Sequence, residues 1–200
     1  MGKIKTALEI ALERTESIKS DKATIEQFEA KQTGKRFANS FLDNPDENAK
    51  LLEDAIKKAP PEWRTSLKEG MFEVLLSRIN LPATQEDKTH LSAVGKGLHV
   101  LIKDNHFHAL YRQLLDVLSR YLEETAQYED AIKQQYEPRL RQKEAELSKR
   151  YGQTVKLDPF QDPEFAAFYR QNMESFKANY QAPVDQVRRK AAEAFETGAD

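Results

Sequence analysis

The stretch NHFHALYRQLLDVLSRYLEETAQYEDAIKQQYEPRLRQKEAELSKRYG, Asn105 to Gly152, reads as one helix. Phe107, Leu110, Leu114, Val117, Tyr121, Tyr128, Ile132 and Leu147 recur along it as an apolar stripe, and residues of both charge signs fill the remaining faces. At 1.5 Å per residue an unbroken helix of this length reaches about 70 Å, whereas a compact chain of this size is about 40 Å across. Such a rod either bends at its proline, Pro138, or outreaches the globule and needs a neighbour along its stripe. The C-terminal segment offers that neighbour. Asp162-Pro163-Glu164 is a helix start, and Phe165, Phe168, Tyr169, Met173, Phe176 and Tyr180 form an aromatic stripe that Val184, Val187, Ala191 and Phe195 continue past Pro183. Laid antiparallel on the rod, these rings face Tyr121, Tyr128, Tyr136 and Tyr151.

Upstream, the pattern predicts shorter helices. A first runs from Lys3 to Lys19 with Ile4, Ala7, Leu8, Ala11, Leu12 and Ile18 on one face. A second, capped by Ser20 or Asp21, carries Ile25, Phe28, Phe37, Phe41 and Leu42 and is interrupted or bent at Gly34. Asn44-Pro45-Asp46-Glu47 predicts the next start, since asparagine caps, proline preorganises the first turn and the acids meet the positive end of the dipole. Pro60-Pro61 ends that helix and opens another, with Trp63, Leu67, Met71, Val74, Leu75 and Ile79 facing inward until Pro82. Thr84 and Asp87 form a capping box before Leu91, Val94, Leu98, Leu101 and Ile102, where Gly95 and Gly97 permit close helix contact. The expected fold is all-α: an N-terminal helical cluster over 1–104 around Trp63 and the phenylalanines, then a long Pro-kinked helical hairpin over 105–200, or one continuous domain joining the two.

Composition narrows the function classes. Hydrophobic residues make up 39% and charged ones 32% of the chain, so it is rich in surface. The net charge of -2 gives the chain as a whole no electrostatic reason to seek nucleic acid or an anionic membrane. The absence of cysteine excludes disulfides, thiolate metal sites and a cysteine nucleophile. No apolar run reaches membrane-spanning length, no signal-peptide core opens the chain, and a cytoplasmic protein is expected. Gly2 followed by Thr6 fits the loose N-myristoylation pattern, which is short enough to recur by chance.

Candidate chemistry is sparse. His99, Asp104, His106 and His108 cluster in sequence, and they converge as metal ligands only if the chain breaks near Asn105. Gly95-Lys96-Gly97 lacks the spacing of a phosphate loop, and acid pairs such as Glu123-Glu124 and Glu129-Asp130 read as solvent-facing. The basic clusters Lys35-Arg36, Arg139 with Arg141, and Arg188-Arg189-Lys190 are interleaved with acids, and the aromatics keep helix-core spacing rather than forming a stacking platform for bases.

Lys3 to Ala11 (KIKTALEIA) and Leu157 to Phe165 (LDPFQDPEF) resemble a group of short bacterial helical proteins of unknown function. That resemblance implies a bacterial cytoplasmic origin and assigns neither an activity nor site residues. The residues themselves point to a non-enzymatic interaction or scaffold protein without cofactor or catalytic group. Its expected partner is a second copy in a homodimer or another helical protein, met through the coiled-coil-like stripe at Tyr121, Tyr128, Ile132 and Tyr136. The alternatives are a metal-binding protein or metal-dependent enzyme at the histidine cluster, and a nucleic-acid accessory factor.

Overall fold

Periodicity over most of the chain leaves helices as the means of burying its apolar side chains, and helices are what form. The computed structural model describes residues 7–48 and 50–198, with side chains from residue 23 onward. Among these are six α-helices and no strand: α1 (Ala7–Asp43), α2 (Leu51–Lys58), α3 (Arg64–Ser77), α4 (Gln85–Leu101), α5 (Asn105–Tyr151) and α6 (Pro163–Thr197). Short 3-10 turns at Pro61–Trp63 and Pro159–Gln161 lead into α3 and α6. None of the described helices is long and apolar enough to cross a membrane. The Gly2 to Thr6 pattern and the side chains of the first predicted stripe lie outside the described residues.

The chain forms two compact units that interleave in sequence. The first holds residues 1–79, 92–105 and 191–200, and the second holds 80–91 and 106–190.

In the first unit the two helices expected before Asn44 are one, α1, of 37 residues. Ser20 and Asp21 do not interrupt it, and Gly34 is a contact rather than a break. A Cβ on Gly34 would fall on the carbonyl oxygen of Leu67, and one on Gly70 would fall on that of Lys31, both well inside 3.0 Å. The two glycines therefore let the backbones of α1 and α3 touch where they cross. Beside the crossing, Glu73 of α3 takes an ion pair from Lys35 at 2.9 Å and another from Lys31. These ammonium groups hold its carboxyl below the usual range. The core here is Phe41, Leu52, Leu67, Met71, Leu75, Ile79, Leu98 and Ile102, all buried. Trp63 and Phe37 are only half-buried, and Ile25 and Phe28 stay exposed, so the phenylalanines contribute less than their spacing suggested. Phe72 stacks on Phe195 at 4.2 Å, and the missing side chain of Gly97 admits Leu75 and Phe41.

Asn44-Pro45 does not start a helix. The Asn48 amide nitrogen closes a single turn onto the Asn44 carbonyl at 3.0 Å, the Asn48 side chain donates back to the Ser40 carbonyl, and α2 begins only at Leu51. Asn44 thus spends its carbonyl on one turn, and Lys50, which precedes α2, makes no side-chain cap bond. The Thr84-Asp87 box, in contrast, forms as expected. Thr84 Oγ1 accepts from the Asp87 amide at 3.2 Å, while Asp87 Oδ2 accepts from the amides of Thr84 and Ala83 at 2.9 and 2.8 Å. Those donors hold the Asp87 carboxyl below its ordinary range. Thr84→Ala should lower stability by about 1 kcal/mol in urea unfolding, and an unchanged midpoint would show that the box does not anchor α4.

In the second unit α5 runs for 47 residues with Pro138 inside it, and it closes at Gly152, whose φ of +68° is the left-handed conformation that ends helices. α6 pairs with it antiparallel. Tyr121 meets Tyr180 and Phe176, Tyr128 stacks on Phe176 at 4.6 Å, and Tyr136 packs edge-on against Phe165 at 5.2 Å. Ile132, Tyr136, Phe165 and Met173 are the buried centre of this seam. Tyr151 does not join it and is exposed. Tyr111 is buried and donates its hydroxyl to the Leu91 carbonyl at 2.8 Å, tying the start of α4 to α5, and burial pushes that phenol well above its ordinary pKa.

Candidate functional site

The densest polar arrangement in the second unit lies where α5 and α6 meet the connector between them. Asp162 is the N-cap of α6: Oδ1 accepts from the Glu164 amide at 3.1 Å, and its carbonyl accepts from the Ala166 amide at 2.9 Å. The same carboxylate receives the Lys143 ammonium on both oxygens, at 3.0 and 2.8 Å, and the Tyr136 hydroxyl at 3.0 Å. Lys143 also reaches Glu164 at 2.8 Å. The Asp162 side chain is 6% exposed and that of Lys143 32%, so this is a half-desolvated latch rather than a surface ion pair. Two further bonds fasten the connector to α5, from the Leu157 amide to Glu144 and from the Val155 amide to Ser148, each at 2.9 Å.

Along the seam, phenols and carboxylates pair across the helices. Tyr169 donates to Glu129 at 2.9 Å and Tyr180 donates to Glu124. Desolvation, then the neighbouring carboxylate, pushes Tyr169 up to about 12. For Tyr180 the hydrogen bond to Glu124 is the larger cause of its upward shift. Burial and Asp162 raise Tyr136, the carboxylates raise Lys143, and Lys143 holds Asp162 below its ordinary range. Every one of these shifts carries its group away from neutrality. General acid-base work at neutral pH calls for shifts toward it, and a lysine kept as ammonium is a poor nucleophile. The arrangement is built to hold two helices and a loop in register.

The histidine cluster lies elsewhere. His99 is on the last turn of α4 and Asp104 follows in the break before α5, both in the first unit, while His106 and His108 are on the opening turn of α5 in the second. His108 packs edge-on against Phe107 at 5.7 Å. Among the described residues, no group of three or more histidine, aspartate or glutamate side chains is arranged to hold a metal ion. Tyr121, Tyr128, Ile132 and Tyr136 are brought together, and what lies on them is α6 of the same chain.

The profile described as a family of unknown function (DUF6657) matches residues 53–193, more than half of the chain. The chain belongs to that family. No curated protein and no solved structure matches it. The DUF6657 match starts within α2 and ends within α6, so it takes in α3, the capping box and the whole latch of Tyr136, Lys143, Asp162 and Glu164. Of the two stretches that carried the resemblance, 157–165 lies within the match.

Among the described residues, concave sites border these DUF6657 elements. One of about 430 Å3 is lined by Lys143, Leu147, Arg150, Leu157 and Asp162, and one of about 340 Å3 by Lys133, Tyr136, Leu140, Pro159 and Phe165. Both belong to the second unit and flank the latch. Another, about 360 Å3, is a mainly apolar groove of the first unit between Phe37, Leu51, Ala55, Trp63 and Leu67. Lys143 and Asp162 were not singled out as partners in the sequence, yet a signal was present. They stand nine residues before and ten after Gly152, the register at which an antiparallel pair folded about that glycine brings them together.

Proposed function

We propose that this DUF6657 chain is a non-enzymatic helical protein of the cytoplasm that works by binding another protein. The observation that carries this reading is the set of large hydrophobics left in solvent: Ile25 at 58%, Phe28 at 62%, Tyr151 at 62% and Phe160 at 53% exposure. Two lie on α1 in the first unit, and two lie beside the hairpin connector in the second. The chemistry of the latch supports the same reading, because Asp162, Lys143 and Tyr136 are committed to each other and shifted away from neutral titration. The seam residues Tyr121, Tyr128, Ile132 and Tyr136 are the poorer contact surface, since α6 already covers them.

Elemental analysis of the full chain purified without chelator, paired with zinc titration in a thermal-shift assay, tests the choice against a metal-dependent activity. The expected result is substoichiometric metal and no shift in melting. One metal per chain, lost on changing His106 and His108 to alanine, would overturn the reading in favour of a metal centre.

A further inference from the structure

The apolar groove of the first unit is lined by polar groups that the fold itself does not use. Leu51, Asp54, Ala55 and Lys58 recur at the spacing that puts them on one face of α2, and this face forms one side of the groove. Phe37 of α1, Pro60 and Trp63 stand among its other walls, and Phe37, Ala55 and Trp63 are only half-buried. A volume of about 360 Å3 lies at the small end of the range for small-molecule sites, too little for a helix or a lipid chain with its headgroup.

The polar side chains that line it are Thr33, Asp54 and Lys58, and the remaining lining residues are apolar. Among the described residues, none of the three makes a side-chain hydrogen bond or ion pair. The contrast with the neighbouring pair is direct. Glu53 and Lys57, at the same spacing one residue earlier, close an ion pair at 3.3 Å, whereas Asp54 and Lys58 leave theirs open on the groove side.

These charges choose among apolar ligands. A carboxylic acid would meet Lys58 but set a second anion beside Asp54, and an amine would meet Asp54 but set a second cation beside Lys58. Residues four apart on a helix hold their Cβ atoms about 5 to 6 Å from each other, a gap that one carbon bearing both an ammonium and a carboxylate can bridge. A free α-amino acid is such a molecule, and the Thr33 hydroxyl can donate to its carboxylate or accept from its ammonium.

We propose that this groove binds a free amino acid with a large apolar side chain, whose carboxylate meets Lys58, whose ammonium meets Asp54 and whose side chain lies against Phe37 and Trp63. The site shares no residue with the exposed side chains that carry the protein-binding reading, so the two stand or fall separately.

Isothermal titration calorimetry of the full chain with L-phenylalanine tests the proposal, with 3-phenylpropionate and 2-phenylethylamine as the same apolar body carrying one charge each. L-Phenylalanine should bind one per chain, and each single-charge analogue should bind about fivefold more weakly. Lys58→Gln should abolish the preference for L-phenylalanine over 2-phenylethylamine, and Asp54→Asn should abolish the preference over 3-phenylpropionate. Both side chains are exposed, so helicity by circular dichroism should not change in either variant. No binding of L-phenylalanine at millimolar concentration would overturn the proposal. Equal binding of the three compounds would reduce the groove to an apolar surface without charge recognition, and preferences that survive both substitutions would place the amino acid elsewhere; either result also overturns it.

Discussion

Gly34→Ala and Gly70→Ala are each expected to destabilise the first unit by about 3 kcal/mol, read as a lower urea midpoint in circular dichroism. Alanine in place of glycine within a helix ordinarily gains about 1 kcal/mol, so local propensity predicts the opposite sign. Packing decides the outcome here. The new Cβ meets backbone, the Leu67 carbonyl in one case and the Lys31 carbonyl in the other, and a helix backbone cannot rotate aside as a side chain can. The axes of α1 and α3 would have to separate, loosening Leu67 and Met71 beneath them. Gly97→Ala is the internal control. Its Cβ would meet the ends of the Leu75 and Phe41 side chains at 3.0 to 3.1 Å, which yield more readily, and a smaller loss is expected. A raised midpoint for Gly34→Ala would show that the close crossing does not exist.

Asp162→Ala should cost about 3 kcal/mol, because one change removes the cap of α6 and leaves the Tyr136 hydroxyl and the Lys143 ammonium without their shared carboxylate. Asp162→Asn should lose less, since an amide oxygen can still accept the Glu164 amide. The pH dependence carries two signatures. The Asp162 carboxyl is depressed in the fold, so its contribution is complete above about 3.8 and disappears as pH falls through the lower folded value. Lys143 is raised, so its contribution is complete below about 10.5 and disappears as pH climbs through the higher folded value. Stability curves of the parent should therefore fall off at both extremes more steeply than those of Asp162→Ala. Parallel curves would mean that the latch contributes nothing to holding the hairpin.

The hairpin was legible in the sequence because its signals are local and repeated. Aromatic rings recur at helical spacing on both segments, Asp162-Pro163-Glu164 marks the start of α6, and Gly152 marks the end of α5. The N-terminal unit was legible in composition but less so in its boundaries. Ser20, Asp21 and Gly34 look like stops, yet a long helix absorbs polar residues in solvent, and a glycine is needed where another backbone arrives. Asn44-Pro45 and Asp162-Pro163 carry similar local signals. Only the second starts a helix, because its carboxylate caps the helix while also meeting a lysine from α5. Such partners on a neighbouring element are invisible to spacing along one helix, and this is why Lys143 did not stand out in the sequence.

The distribution of chromophores lets the two units be watched separately. The single indole, Trp63, belongs to the first unit, whereas all seven phenols, from Tyr111 to Tyr180, belong to the second. Emission excited at the red edge therefore follows the glycine crossing and its neighbourhood, while near-ultraviolet difference absorbance follows the hairpin. Denaturation traces that superimpose in the two optical windows would mark one cooperative transition, and traces that separate would reveal which unit melts first.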